Sequence, residues 1–259
     1  MSETSKVPAV TLGFWIIKIA ATTLGETGGD AVSMSMNLGY LLATGIFAAI
    51  FAASVAAQIA AGKFQPILYW FTIIATTTVG TTLADFATRN LFCPGSGFSE
   101  TTCGIGYSGG SALLLMLLLL SLYTWHRVMG SVSINTVSSP KTEGFYWITI
   151  MFSQTLGTAL GDWTADTQGL GYLGSAVIFG GLLVLCAAAY YWTRISHVAL
   201  FWAAFILTRP LGAVLGDFLD KPFAKGGLDL SRYSASAALL ALMIVCALVF
   251  KQRPASRVH

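Results

Sequence analysis

The chain has 259 residues, of which 55% are hydrophobic and 10% charged, and its formal net charge is +3. Soluble domains carry about 25% charged residues, so the composition excludes a soluble globular protein. It favours an all-α membrane protein.

Eight apolar segments of transmembrane length follow one another along the chain. A helix of about 20 apolar residues crosses a hydrocarbon core about 30 Å thick. The first segment begins without a basic region or a small-residue cleavage site, so no removable signal peptide is expected. The predicted spans are 11–30, 38–62, 67–88, 109–126, 145–164, 170–193, 198–218 and 233–250. Uncharged residues fill the even-numbered spans, which are therefore expected to face lipid.

A fourfold repeat organises these spans. A tryptophan stands fifteen residues before an aspartate in each odd-numbered span: Trp15 and Asp30, Trp70 and Asp85, Trp147 and Asp162, Trp202 and Asp217. The tryptophans are 55, 77 and 55 residues apart, so the second half repeats the first at an offset of 132. The same offset carries Tyr40 onto Tyr172, at the start of an even-numbered span. This predicts two halves, 1–132 and 133–259, within a single membrane domain.

Small residues four apart precede each repeat aspartate. Such a pair lets helix backbones approach closely, which is how helices associate where lipid provides no hydrophobic drive. We therefore predict that these residues form helix-packing faces: Gly25 and Gly29, Gly80 and Ala84, Gly157 and Gly161, Gly212 and Gly216.

Hydroxyl and carboxylate groups lie on a different face of the odd-numbered helices. The positions seven and four before each aspartate lie about 20° and 40° from it around a helix. They hold Thr23 and Glu26, Thr78 and Thr81, and Thr155 and Thr158 in the first three repeats. We predict that this row lines a polar pathway between the four helices. Two alternatives stay open: each aspartate caps its helix in headgroup water, and each threonine bonds back to its own helix.

Two basic residues fall within the odd-numbered spans. Lys18 lies twelve residues before Asp30 and is expected to face a partner across the bundle. Arg209 takes the place of Thr22, Thr77 and Gln154 in the other repeats, and Pro210 follows it. The arginine either neutralises Asp217 structurally or acts as a tethered counter-ion that substrate displaces. The proline favours a kink.

Oxygen atoms dominate the predicted pathway, and this indicates the class of ligand. Carboxylates, hydroxyls and carbonyls suit hard cations such as Mg²⁺, Mn²⁺, Ca²⁺ or alkali ions, whereas zinc and copper sites recruit Cys or His. Carboxylates in apolar surroundings also bind protons readily. The candidate metal ligands are Glu26, Asp30, Asp85, Asp162 and Asp217.

Basic residues and cysteines bear on orientation. Eight Lys and Arg residues lie on the side of the termini and four on the other side, which predicts cytoplasmic termini.

Cys93 and Cys103 lie in the longest loop of the other side, 89–108. They form either a disulfide or two free thiols, depending on the redox state of that side.

The four Trp-to-Asp segments, each with two spans, resemble a family of bacterial integral membrane proteins built from four tandem two-span repeats of unknown function. The resemblance covers about 12–250. It departs at Ala84, which replaces the second small residue, and at the Arg209-Pro210 pair. The resemblance implies eight spans and a bacterial inner-membrane location, but no substrate.

Three functions compete. The first is a secondary transporter or exporter of a hard cation, Mn²⁺-like or alkali, coupled to protons; a channel would use the same pathway. The second is a scaffold or sensor whose acids lock helices through Lys18 and Arg209. The third is a membrane enzyme, which is weaker because no nucleophile–base pair, HExxH or phosphate-binding loop occurs. We predict no enzymatic activity.

The predicted partners follow from the transporter interpretation. They are membrane lipid, an inorganic cation and protons, with no nucleic acid. A homo-oligomer is left open. No covalent cofactor is expected, and the one candidate for a bound group is a metal cation.

Overall fold

The computed structural model describes residues 5–92 and 103–255, and within them the chain is helical. Its eight α-helices are α1 (Leu12–Asp30), α2 (Gly39–Ala60), α3 (Pro66–Asp85), α4 (Gly106–Met129), α5 (Pro140–Asp162), α6 (Gly171–Trp192), α7 (His197–Asp220) and α8 (Arg232–Val249). The predicted all-α fold is confirmed.

The odd-numbered helices form a closed inner ring. α1 packs against α3, α3 against α5, α5 against α7, and α7 returns to α1. Each even-numbered helix packs outside the ring, against the odd-numbered helix of the following repeat: α2 on α3, α4 on α5, α6 on α7, and α8 on α1. The four repeats are therefore interlocked, and the last is joined to the first.

Six helices of the described residues are long and apolar enough to cross a membrane: α2, α3 with its extension to Asn90, α4, α6, α7 and α8. This composition is that of a multi-pass membrane protein. Eight such helices were predicted, but α1 and α5 fall short. Their polar side chains, including Glu26 and Gln154, are buried inside the ring.

The helix ends follow from local sequence. α5 starts at Pro140, five residues before the predicted span, because Ser139 and Thr142 form a reciprocal capping box and proline suits the first helical turn. Short π-helical segments extend α1, α3 and α5 by one turn: Ala31–Ser35, Phe86–Asn90 and Trp163–Thr167. α7 has no such extension and ends at Asp220.

Glycines lie where adjacent ring helices touch. A Cβ atom added to Gly80 would lie 2.9 Å from Cβ of Gln154 in α5. At the equivalent positions, Gly25 faces Thr77, Gly157 faces Arg209 and Gly212 faces Thr22. Each small-residue face thus receives the side chain that stands eight residues before the aspartate of the next helix. The helix backbones can approach closely because glycine has no side chain at these positions.

Aromatic rings close the end of the bundle that carries the repeat tryptophans, which we call the tryptophan end. Each repeat tryptophan packs on an aromatic residue of the preceding repeat, with ring centroids between 5.5 and 6.3 Å apart. The four pairs are Phe14 with Trp70, Tyr69 with Trp147, Tyr146 with Trp202, and Phe201 with Trp15. The hydroxyls of Tyr69 and Tyr146 also hydrogen-bond at 2.6 Å.

Both ends of the described chain meet at the tryptophan end. The backbone N–H of Ala9 donates to the carbonyl of Arg253, and that of Ala255 donates to the carbonyl of Val7. The indole N–H of Trp70 donates to Gln252 at 3.1 Å. The opposite end, where the repeat aspartates lie, is called the aspartate end.

Candidate cation site

Every fourth residue of the ring helices, counted back from the repeat aspartate, is buried inside the bundle. Five successive layers result, and nearly all their members are buried. From the aspartate end they are Asp30, Asp85, Asp162 and Asp217; Glu26, Thr81, Thr158 and Ala213; Thr22, Thr77, Gln154 and Arg209; Lys18, Ile73, Ile150 and Phe205; and Phe14, Tyr69, Tyr146 and Phe201. Rows of residues four apart meet when small-xxx-small helices cross, because the closely packed backbones are inclined to one another.

An ion pair joins α1 to α7 at the centre of the ring. The guanidinium of Arg209 donates from Nη1 to Glu26 Oε2 at 2.9 Å. Its Nη2 donates to the hydroxyls of Thr81, at 2.6 Å, and Thr158. Both threonine hydroxyls also donate to the same glutamate oxygen, at 3.3 and 3.4 Å. All four ring helices therefore contribute to one buried network.

The fourth repeat makes this network possible by two substitutions. Ala213 stands where the other repeats have Glu26, Thr81 or Thr158. Its methyl group is too short to occupy the volume that those side chains fill. Arg209 lies one turn deeper, so its long side chain can reach into the vacant position. Pro210 remains inside α7 without ending the helix.

Two basic side chains join the four repeat aspartates in pairs. Arg89 lies 3.3 Å from Asp85 and donates to Asp162 Oδ2 at 2.8 Å. Lys221 contacts Asp30 at 2.6 Å and Asp217 at 3.0 Å. Each base stands four residues after the aspartate of its own repeat and also reaches the aspartate of the following one. The aspartate layer is thereby closed into two ion-paired halves.

Lys221 lies just beyond α7 and is almost enclosed by acids. Burial lowers the pKa of its ammonium, but the negative charges of Asp217, Asp30 and Asp220 raise the pKa well above its usual value. The side chain therefore stays protonated over the whole physiological range and acts as a fixed positive charge.

The first turn of each even-numbered helix faces the aspartate of the next repeat. The carboxylate with the strongest electrostatic effect on the Tyr40 hydroxyl is that of Asp85. The corresponding carboxylates are Asp162 for Tyr107 and Asp217 for Tyr172. In the fourth repeat Arg232 takes this role: its Nε lies 3.8 Å from Asp30 and donates to Asp220 at 2.8 Å. The tyrosine pattern of the sequence thus marks a second layer of polar side chains around the acids.

Two groups of three carboxylates bring oxygen atoms within 4.8 Å of one another. The inner triad is Glu26, Asp162 and Asp217, and the outer triad is Asp30, Asp217 and Asp220. All members are buried, and Asp217 belongs to both triads. Asp85 belongs to neither.

Lys18 lies one layer below Arg209, towards the tryptophan end. It is fully buried, and its ammonium stands 4.2 Å from the centre of the Phe205 ring. Its Nζ has no hydrogen-bond partner among the described residues. The expected partner across the bundle is thus an aromatic face, a contact that attracts cations.

Several predicted residues lie elsewhere than expected. Thr23, Thr78 and Thr155 each donate to the carbonyl four residues earlier in their own helix, which is the back-bonded alternative. Arg209 pairs with Glu26 and not with Asp217. The threonines at the position four before the aspartate do reach the centre.

Sequence reasoning missed four residues of the site: Arg89, Lys221, Asp220 and Arg232. It assigned the three bases to an outer loop side and did not consider the acid. A signal was present, because Arg89 and Lys221 follow their repeat aspartates by four residues, the spacing of an ion pair on one helix face.

Of the two cysteines predicted to form either a disulfide or free thiols, the structure describes Cys103. Cys103 is disulfide-bonded, and Cys186 and Cys246 are free. Cys93 lies outside the described residues.

A family model decides the relationship of the chain. The model, described as Repeat of Unknown Function (DUF347), matches four times: residues 13–64, 68–131, 145–196 and 200–253. The chain belongs to the DUF347 repeat family. Each DUF347 repeat covers one odd-numbered helix and the even-numbered helix that follows it, so the predicted resemblance is confirmed. Searches of curated proteins and of solved structures gave no significant match.

Proposed function

We propose that this DUF347 protein is a secondary transporter of a hard cation, coupled to protons, and that the ring of α1, α3, α5 and α7 contains the pathway. One observation carries the proposal: carboxylates from α1, α5 and α7 converge inside the ring with oxygens within 4.8 Å of one another. Ionisable groups at membrane depth are costly and typically mark ion or proton pathways.

The balance of charge inside the aspartate end supports a cationic substrate. Six buried carboxylates belong to the site: Glu26, Asp30, Asp85, Asp162, Asp217 and Asp220. Four basic side chains pair with them: Arg89, Arg209, Lys221 and Arg232. The paired cluster therefore carries two negative charges in excess, which one divalent cation or two protons would neutralise. Exchange of one for the other follows from that equivalence.

The donor atoms favour a hard ion. Both triads consist of carboxylates, with the Thr81 and Thr158 hydroxyls beside the inner one. Oxygen ligands of this kind suit Mg²⁺, Mn²⁺ or Ca²⁺, and neither triad contains the nitrogen or sulfur donors typical of zinc and copper sites.

Arg209 acts in this proposal as a tethered counter-ion. Its guanidinium occupies the position that a cation would take beside Glu26. Binding of substrate then requires Arg209 to leave Glu26, and departure of the substrate lets it return. The aromatic layers close the tryptophan end, so release on that side requires the four Trp pairs to separate.

The placement in the membrane is part of the proposal. We place all eight helices across the bilayer, with α1 and α5 shielded from lipid by the ring and the outer helices. Both termini lie in the cytoplasm, because basic residues cluster at the tryptophan end, where the termini meet. The membrane is the bacterial inner membrane. No enzymatic reaction is assigned.

Flux measurements test the transport function. Purified protein in vesicles is expected to move Mn²⁺ in response to a proton gradient. Asp162→Asn and Asp85→Asn should each abolish that flux while the protein remains folded, as judged by its melting temperature. Asp166→Asn is the control, because Asp166 is exposed one turn beyond Asp162. Wild-type flux in both buried variants would refute the proposal.

A scaffold or sensor role is the second candidate, and the ion pairs favour it. Arg89, Arg209 and Lys221 bind acids of adjacent repeats and hold the ring together. Such a protein would lose stability in these variants but would show no flux in the wild type with Mn²⁺, Mg²⁺, Ca²⁺, Na⁺ or K⁺.

A further inference from the structure

We infer that the outer triad of Asp30, Asp217 and Asp220 is a separate entry site for a divalent cation, and that Arg232 gates it from the aspartate end. This inference rests on the proposed transport function. It adds a second binding site, its route of access and the residue that controls it.

Unsatisfied oxygen atoms indicate a ligand at the outer triad. Asp30 Oδ1 and Asp220 Oδ1 are buried and have no hydrogen-bond partner among the described residues. The nearest base to Asp220 Oδ1 is Lys221 at 4.0 Å, beyond hydrogen-bond range. Buried carboxylate oxygens without partners are costly, and a cation among the three acids would satisfy them.

An open depression gives access to Asp220, one member of this triad. It has a volume of about 430 Å³ and is lined by Ser35, Asp220 and Arg232, together with the chain between α7 and α8. It therefore lies where the ends of α1 and α7 meet the start of α8. A hydrated ion can approach Asp220 from this side without crossing the ring.

Arg232 stands between the depression and the acids. Its guanidinium donates from Nε to Asp220 Oδ2 at 2.8 Å and from Nη1 to Ser35 Oγ at 3.1 Å. Its side chain is 22% exposed, whereas the side chains of Asp30 and Asp220 are each 1% exposed. An entering cation must displace this partly solvated group at the mouth of the site and then the ammonium of Lys221, which lies within 4.0 Å of all three acids.

The loop that precedes Arg232 is fixed to α7. The N–H groups of Leu228, Asp229 and Leu230 donate to the carbonyls of Phe218, Lys221 and Leu219. The start of α8 is thereby held over the triad, so entry requires the side chains of Arg232 and Lys221 to move while the backbone stays in place.

Asp217 connects the entry site to the centre. It is the one carboxylate shared by the outer and inner triads. A cation bound at the outer triad can exchange Asp30 and Asp220 for Glu26 and Asp162 while it keeps Asp217 as a ligand. The two triads therefore form successive stations on one route.

Mn²⁺ binding to the detergent-solubilised full chain tests the gate, with free Mn²⁺ measured by electron paramagnetic resonance. Arg232→Gln removes a competing positive charge and should tighten Mn²⁺ binding about tenfold. Asp220→Asn removes a ligand and should weaken binding about tenfold. The exposed-residue controls, Lys225→Gln and Asp166→Asn, should bind as the wild type does.

Ser35→Ala provides a variant that leaves every charge in place. It removes the hydrogen bond that holds Arg232 at the mouth of the site, and it should tighten Mn²⁺ binding about threefold. This variant decides the matter if Arg232→Gln does not fold.

The outcomes separate the two proposals. If the wild type binds and transports Mn²⁺ but Asp220→Asn and Ser35→Ala behave as the wild type does, the entry site is wrong and the transport function stands. If the wild type neither binds nor transports any of the hard cations, the transport function fails and the entry site fails with it.

Discussion

The tryptophan end and the aspartate end are built from the same four helices, but the fourfold repeat of contacts is kept at the first and broken at the second. At the tryptophan end each repeat contributes the same aromatic pair, and four equivalent contacts close the ring. At the aspartate end the four acids are equivalent, but their basic partners are not: Arg89 serves one pair and Lys221 the other. The repeat sets the scaffold, and the departures from it set the chemistry.

Physical chemistry explains the contrast. Aromatic packing is satisfied by identical neighbours, so it can be repeated around an axis. Four identical carboxylates around an axis repel one another, and they need counter-ions that break the symmetry. The strongest departure, Arg209, accordingly lies one layer from Glu26, with which it pairs, and the tryptophan end retains the repeat.

The largest expected effect comes from breaking the central ion pair. Arg209→Met leaves Glu26 buried without its partner, which should lower the free energy of unfolding by about 3–5 kcal/mol. The double variant with Glu26→Gln should recover most of this loss. Denaturant unfolding in detergent measures both, with Arg194→Met, at an exposed site, as control. A single variant as stable as the wild type would contradict the placement of Arg209.

The tryptophan end offers a comparison of similar size. Trp147 is 3% exposed and packs on Tyr69, so Trp147→Ala should cost about 3 kcal/mol through the cavity it leaves. Trp192→Ala, at a position 83% exposed, should cost less than about 0.5 kcal/mol. Equal melting temperatures for the two variants would contradict a stabilising role for the four aromatic contacts at the tryptophan end.

The glycine contacts should give intermediate effects. A methyl group at Gly80 meets Gln154 at 2.9 Å, and Gly80→Ala should therefore cost about 1–3 kcal/mol. Gly181 lies in α6 with no atom within 4 Å of an added Cβ, so Gly181→Ala should stabilise by about 0.5–1 kcal/mol. Thermal unfolding of the pair tests whether close backbone approach is confined to the ring.

The two halves of the aspartate layer should differ modestly. Lys221 contacts three acids and Arg89 two, so we expect losses of about 2 kcal/mol for Lys221→Gln and about 1 kcal/mol for Arg89→Gln. Both losses should shrink at high salt, because each base is partly exposed. A larger loss of stability for Arg89→Gln than for Lys221→Gln would contradict the expectation that the base with more acidic contacts stabilises the protein more.

The pH dependence of the Lys221 contribution has a defined sign. Its folded-state pKa is raised above the usual 10.5, so its stabilisation is fully present below that value and is lost as pH rises through the folded pKa. The part of the Lys221→Gln loss that comes from the ammonium should stay constant from about pH 8 to about pH 9. Unfolding measured across that range checks it.

The sequence predicted the helices of the ring and the convergence of their acids, but it did not predict the facing row correctly. The repeat of Trp, Gly and Asp identified the inner helices, because the small-residue pair followed by an acid recurs on them at a fixed distance from the tryptophan. The expected row combined the positions four and seven before each aspartate, as in helices parallel to an axis. The structure follows four-residue spacing, so Thr22 and Thr77 contact the preceding helix of the ring, whereas Thr23 and Thr78 had been expected to face inwards.

Partners that come from a different repeat could not be read from spacing alone. Arg232 reaches Asp30 and Asp220 because α8 packs on α1 and closes the ring. That closure is a long-range contact between the last and first repeats, and local sequence does not encode it. Arg89 and Lys221 were within reach of sequence reasoning, since they share a helix face with their aspartates.

Mn²⁺ binding to Asp217→Asn tests the central claim most directly, because Asp217 is the carboxylate common to both triads. We predict that the wild type binds Mn²⁺ and that Asp217→Asn, with its melting temperature confirming a folded protein, loses binding at both triads. A folded Asp217→Asn protein that binds Mn²⁺ with the affinity and stoichiometry of the wild type would contradict a cation site inside the ring.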